Sequence, residues 1–391
     1  MSAPADRNGL YALLSDEHVQ IRDMANEFAQ TRIAPNAEKW NRDKHVSVET
    51  LREMADLGLL GLLAPEEFGG AGLGMTAFCL VMEEISAADV GTSVSLATQL
   101  SLTIAPLVNF GTEEQKQRWL PDLVSGARFG CYNLTEPNAG SDTASLRTTA
   151  VEDDDGWSIS GTKTWISNGG FADLFIVFAR TDGPGAKGVS AFVVDAGEGL
   201  TASREIPKMG LHSSSTAEIA FDGVRAESDQ MLGERGAGLS VALATLDSGR
   251  IVIAAQAVGI ARAALELAIG YATEREAFGG PIARFQGVQF PIAEIAARID
   301  AARLLTLHAA CVRDSGAPVN EIGAKAKLLA SQVAVDAADM AVQTLGGYGY
   351  SAEFAAERLY RDARITKLYE GTSEIQRMVI SRSLMGSAAR S

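Results

Sequence analysis

The chain is poor in the residues that build metal and disulfide sites. Its 391 residues include three cysteines and four histidines. Cys79, Cys131 and Cys311 lie far apart, are odd in number and form no C-x-x-C pair. That argues against a disulfide framework and a thiolate zinc site, and for three small buried hydrophobes in a reducing compartment. His18, His45, His212 and His308 are scattered, so no histidine metal site is expected. The sequence has no Gly-Lys pair, hence no Walker A loop, and neither HExxH nor GxSxG. No run approaches the roughly 18 uninterrupted apolar residues of a membrane span. Met1 to Tyr11 mixes Asp6 and Arg7 with small residues and lacks an apolar signal-peptide core. A cytoplasmic protein is expected. Positive charge is scarce as well: 34 Lys and Arg face 49 Asp and Glu, a net charge of −15. That sign argues against nucleic acid as the main partner.

What is present is a globular composition, 47% hydrophobic and 21% charged. The length exceeds the roughly 250–300 residues at which one core stops growing, so two or three domains are expected. The apolar period changes twice. Helical spacing runs over about 15–125, with Val19, Met24, Phe28 and Ile33 near one face of a helix that Pro35 disturbs. Further helices are expected over 48–57 (ending at Gly58), from a Thr76 cap through Ile85, and over 93–109 and 112–123. GGAGLG (69–74) is a loop between helices. A period of two then holds from about 129 to 234, with EDDDG (152–156) as a hairpin tip. From Gly236 the helical period returns, over 239–272, 285–314, 319–345 and 372–385, with the density of Ala, Leu and Ile of a four-helix bundle. The fold class is therefore α+β. A helical domain (1–128) precedes a small antiparallel β domain (129–235), and a helical bundle domain (236–391) follows. One G-x-G-x-x-G, Gly183 to Gly188, lies between two strand-like runs and contains Pro184. It reads as a hairpin loop, since the dinucleotide fingerprint must open a helix.

Three segments hold polar residues that packing does not explain. In YNLTEPNAGSD (132–142), hydroxyls and backbone amides could bind an anion or a polar ring edge; the plainer reading is an Asx/Pro/Gly turn. KTWISNGG (163–170) places Trp165 as an aromatic wall at a strand end, or as a core residue. In YEGTSEIQ (369–376), Gly371 breaks a helical stretch, Thr372 or Ser373 caps the next helix, and Ser373 with Gln376 spells a capping box. Glu370 thus sits in a helix joint. It is either a general base or a solvated helix-end carboxylate, and spacing alone does not choose.

Together these segments resemble the acyl-CoA dehydrogenases, flavoenzymes that oxidise acyl-CoA thioesters to trans-2-enoyl-CoA. The likeness runs from about Asp16 to Leu384. It rests on YNLTEPNAGSD, GTKTWISNGG (161–170), KMG (208–210), TLDSGRIVIAAQAVGIA (245–261), EREAFGGPIARFQ (274–286), QTLGGYGY (343–350) and RDARITKLYEGTSEIQR (361–377). All seven stand in family order at family spacing. The resemblance implies FAD as cofactor, held without a Rossmann fold. It makes Glu370 the base for the α-proton, with the β-hydride passing to flavin N5. The backbone N–H of the base and a flavin ribityl hydroxyl would polarise the thioester carbonyl. Leu134, Thr135, Trp165 and Ser167 would line the flavin, and Thr372 and Glu374 would touch it from the last helix. Arg275, Phe278, Gln286, Gln343, Gly346 and Gly347 would hold its pyrophosphate and adenosine, several of them across a subunit boundary. Ser141, Asp247, Arg250 and Gly371 would contact the CoA thioester.

One branch of the family carries its base before the Arg of the LDSGR segment; that position here is Gly249, which cannot serve. The LDxGR pattern resembles the short-chain members. Two departures stand out: His212 where many relatives have Arg, and Asn138 where Gly is frequent. The expected function is FAD-dependent dehydrogenation of short, straight or branched acyl-CoA. The expected partners are electron-transfer flavoprotein and further copies of the chain in a homotetramer or homodimer. The alternatives are a relative using acyl carrier protein or oxygen, and a non-enzymatic scaffold binding lipid or DNA.

Overall fold

The structure is a computed structural model that describes residues 14–386. The Met1 to Tyr11 segment lies outside them. Helix α1 (Asp16–Phe28) is capped by Ser15 and runs through a π-helical turn (Ala29–Ile33) into α2 (Ala34–Asp43). Helix α3 (Val48–Asp56) ends before Gly58, whose φ of +77° stops it. Helix α4 (Gly74–Ala88) is followed by α5 (Val90–Ala97), a second π segment (Thr98–Ile104), α6 (Ala105–Phe110) and α7 (Glu113–Val124). Each π segment is followed by a proline in the first turn of the next helix, Pro35 and Pro106. Proline lacks the N–H and crowds the carbonyl four residues back, and the wider turn absorbs that clash without ending the helix. Pro35 therefore shifts the helix rather than stopping it.

Thr76 does not cap α4. The carboxylate of Asp314, 238 residues away, accepts from the backbone N–H groups of Met75 (2.6 Å) and Thr76 (2.9 Å) and from the Thr76 hydroxyl. The cap is tertiary, and no local residue pattern encodes it.

Eight strands follow: β1 (Gly130–Asn133), β2 (Thr149–Asp153), β3 (Gly156–Ser167), β4 (Leu174–Arg180), β5 (Val189–Asp195), β6 (Leu200–Glu205), β7 (Thr216–Ala226) and β8 (Met231–Leu232). They form one sheet in the order β6-β7-β3-β2-β4-β5-β8, with β1 beside β4. The sheet is mixed, not purely antiparallel, because β1 runs parallel to β4 in the register Gly130 to Leu174. The Gly183–Gly188 loop joins antiparallel β4 and β5, as a hairpin loop should.

Helices α8 (Gly238–Glu274), α9 (Gln286–Asp314), α10 (Asn320–Leu345), α11 (Ala355–Ala363) and α12 (Ser373–Met385) follow among the described residues. One continuous core joins the two helical segments: Phe28, Phe78 and Met82 pack with Val258, Ile299 and Ala334. A second core lies between α7, the start of α8 and one sheet face, through Trp119, Phe178 and Leu239. Among the described residues, two helical stretches, Val90–Phe110 and α8, are long and apolar enough to cross a membrane, but 72% and 78% of their apolar windows are buried inside the structure. They are core elements. Cys79 and Cys131 are buried free thiols, whereas Cys311 is exposed, contrary to the expectation of three buried ones.

Candidate active site

Glu370 stands where α11 has ended and α12 has not begun. Its φ is +50° and that of Gly371 is +91°. A left-handed non-glycine residue costs about 1–3 kcal/mol and persists only where its surroundings over-determine it. Here two elements do so. Lys327, fully buried on α10, donates from Nζ to the carbonyls of Tyr369 (3.0 Å) and Gly371 (2.5 Å). Gln376 on α12 donates to the carbonyls of Glu370 (3.3 Å) and Gly371 (2.8 Å). Gln376 is thus occupied with the turn, and Thr372 alone caps α12 by accepting from the Ile375 N–H. The expected Ser373–Gln376 capping box does not form.

The Glu370 side chain reaches toward α8. Its Oε2 is buried without a hydrogen-bond partner. A Cβ built on Gly249 would lie 2.0 Å from that oxygen. Burial pushes the Glu370 carboxyl up to about 7, against the pull of Lys327 and Arg250. Burial likewise lowers Lys327 to about 8, against the pull of Glu370. One helical step from Gly249, Arg250 donates to Asp247 at 2.7 Å, and Asn320 holds the same Asp247 oxygen at 2.9 Å. Asp247, Arg250, Glu370 and Gly371 therefore share one neighbourhood. A buried carboxyl titrating near neutrality with a free oxygen is the pattern of a working acid or base.

The second group of expected residues lies on the sheet. Lys163, fully buried, donates to the Leu134 carbonyl (3.3 Å) and to Glu136 (2.8 Å), whose carboxylate also accepts the N–H groups of Arg147 and Thr148. The Thr164 N–H reaches the Thr135 carbonyl at 2.9 Å. This staples Leu134 and Thr135 beside β3. The β3–β7 register then slips between Lys163 and Ile166, and Trp165 inside that irregularity has φ +63° and is 56% exposed. A bulge of this kind re-aims a side chain, and here it turns an indole out of the core. Ser167 follows at the end of β3, half-buried. Tyr132, on the strand leading into this segment, is buried near enough to Glu370 to feel its charge.

The third group sits at the far end of the bundle. Arg275, Gly346 and Gly347 line a cavity of about 540 Å³ with Tyr271, Thr344 and Tyr348. Phe278, Gln286 and Gln343 are exposed and are not part of that lining. Ser141 is exposed on the turn that enters the sheet domain, and Glu374 is exposed in the first turn of α12. His212, the departure noted above, has Nε2 2.9 Å from the Lys208 carbonyl. Its loop is held by buried Asp362, which accepts the Leu211 N–H at 2.6 Å.

Reading the sequence missed Lys327, the Lys163–Glu136 pair and Asp362. Lys327 leaves one trace: it falls at helical spacing among Gly323, Ala324, Ala330 and Ala334, on an apolar face.

Three family models match almost the whole chain: the acyl-CoA dehydrogenase N-terminal domain over 15–127, the middle domain over 131–224 and the C-terminal domain over 236–385. The chain belongs to the acyl-CoA dehydrogenase family. It is 44% identical over 376 residues to the mitochondrial short-chain specific acyl-CoA dehydrogenase of Bos taurus, covering 96% of this chain and 91% of that protein. Butyryl-CoA dehydrogenase from Megasphaera elsdenii superposes with a TM-score of 0.93 at 40% identity, over 95% of this chain and 99% of that one. A chain solved in work on the electron transferring flavoprotein of Acidaminococcus fermentans gives 0.94 at 42% identity, over 96% and 99%. Acyl-CoA dehydrogenases are FAD flavoproteins. The residues here fit such a group: an indole is held outward by strained backbone, and an arginine and two glycines line a separate cavity.

Proposed function

We propose that this acyl-CoA dehydrogenase oxidises short, straight or branched acyl-CoA thioesters, with Glu370 taking the α-proton. The supporting observation is the buried, unpartnered Glu370 Oε2 on a left-handed turn. FAD, when bound, supplies the acceptor for the β-hydride. Leu134, Thr135, Trp165, Ser167, Thr372 and Glu374 would hold its ring, and Arg275, Phe278, Gln286, Gln343, Gly346 and Gly347 the rest. Ser141, Asp247, Arg250 and Gly371 would hold the thioester. The electrons leave to an electron-transfer flavoprotein, a reading supported by the likeness to the Acidaminococcus chain. A homodimer or homotetramer is supported by Phe278 (91% exposed), Tyr350 (87%) and Phe290 (63%), aromatic surface of the kind that subunits cover.

The carboxylate form is the reactive one, and burial raises its pKa. The rate of flavin reduction should therefore rise with pH through about 7 and level above it. Anaerobic single-turnover rates across that range check this; a rate flat from pH 5 to 9 contradicts it. Trp165→Ala should weaken FAD retention by about tenfold or more, by loss of ring contact. Because the indole is exposed in the chain alone, the apoprotein's stability should shift by less than about 0.5 kcal/mol. FAD titration and apoprotein melting check the two halves. Chromatography of the products from butyryl-, isobutyryl- and 2-methylbutyryl-CoA tests the reaction itself; no enoyl thioester from any of them removes the short-chain reading.

A further inference from the structure

Lys327 is a buried charge that the reaction as described does not use. It lies in the first third of α10, and its partners are 42 and 44 residues away. Both are carbonyls, and they bracket one residue, Glu370. A buried ammonium is costly unless paired, and these two carbonyls with the Glu370 charge are what it pairs with. The other support of the turn, Gln376, comes from α12 and carries no charge.

We propose that Lys327 is the positioning residue of the base: it clamps the carbonyls on either side of Glu370 and so fixes the left-handed turn that sets the carboxylate against Gly249. This rests on the reading of Glu370 as base. The clamp has two consequences that a merely space-filling lysine lacks. It fixes where the carboxylate sits, so its loss reduces the rate constant more than substrate affinity. It also places a cation beside the carboxylate, so its loss makes the carboxylate harder to form. The other charged or titratable groups around the pair are Arg250 on α8 with its partner Asp247, Glu374 on α12, Tyr132 on β1 and Tyr369; none is altered by the substitution.

The test compares FAD-loaded Lys327→Gln and Lys327→Arg with the unaltered protein. For Lys327→Gln, the rate constant of flavin reduction by butyryl-CoA should fall about 10²-fold, with the dissociation constant of butyryl-CoA changed by less than about threefold. Its pH limb should move upward, and backbone amides of residues 368–373 should exchange with deuterium faster, with or without FAD. Lys327→Arg, which keeps charge and donors, should keep the pH limb. Wild-type rate, pH limb and exchange in Lys327→Gln would overturn the proposal. So would failure of both variants to fold, which would make the lysine a residue of the core at large. The exchange measurement does not depend on what Glu370 does. If Glu370→Gln turned over normally, the base reading would fall while the clamp could still be seen or refuted on its own.

Discussion

Glu370→Gln should lose flavin reduction by butyryl-CoA by about 10³-fold or more while keeping its fold and its FAD. The amide occupies the space of the carboxylate, so shape and the route to Gly249 are preserved. What disappears is the lone basic site, and positioned general bases contribute about 10²–10⁴-fold. The groups around it offer no replacement base: Asp247 is held by Arg250 and Asn320. Arg250 is a cation, Lys327 spends its donors on carbonyls, and Gly249 has no side chain. Stability should fall modestly: Lys327 loses its counter-charge but keeps both carbonyl partners, and the variant no longer buries a carboxylate. Stopped-flow bleaching of the flavin, with melting and flavin content measured beside it, checks the three parts. A rate within about tenfold of wild type would remove Glu370 from the role.

Gly249→Ala should give the reverse of the usual mutational outcome: a helix no weaker than before and an enzyme about 10²-fold slower. Alanine is preferred over glycine in a helix interior by about 1 kcal/mol. The new methyl, however, would stand 2.0 Å from Glu370 Oε2. That oxygen is the far end of a flexible side chain, so it yields and the fold survives. The carboxylate is then displaced by an ångström or more, and misplacement on that scale costs about 10²-fold. Substrate binding, which rests on Asp247, Arg250 and Ser141 in our reading, should weaken much less. Steady-state kinetics and thermal melting together read this split. Unchanged turnover would mean that the glycine is there for helix packing alone.

Much of this architecture is visible in the residues themselves, because period and caps are local signals. The helix expected over 112–123 is α7, and the hairpin tip at 152–156 joins β2 and β3. What escapes is whatever depends on distant partners. The parallel pairing of β1 is set by β4, 44 residues on, and the cap of α4 by Asp314. The two π turns follow from single prolines whose effect is to reshape a helix, not to stop it. At the site, Glu370 and Gly371 stand in a segment that marks itself by its glycine and its cap. Lys327 and Lys163 do not, since a lysine on an apolar face reads as a solvated charge until its carbonyl partners are placed around it. Gly249 is excluded as a base from its identity alone, yet its contact with Glu370 needs α8 and the 369–371 turn in one frame.

The most direct test is an anaerobic titration of the FAD-loaded protein with butyryl-CoA, run in parallel on wild type and Glu370→Gln and followed by the visible flavin band. Prompt bleaching in wild type, with butyryl-CoA binding but no bleaching in the variant, is the predicted result. Equal bleaching in both, or a wild-type flavin that ignores butyryl-CoA and its branched analogues, would contradict it.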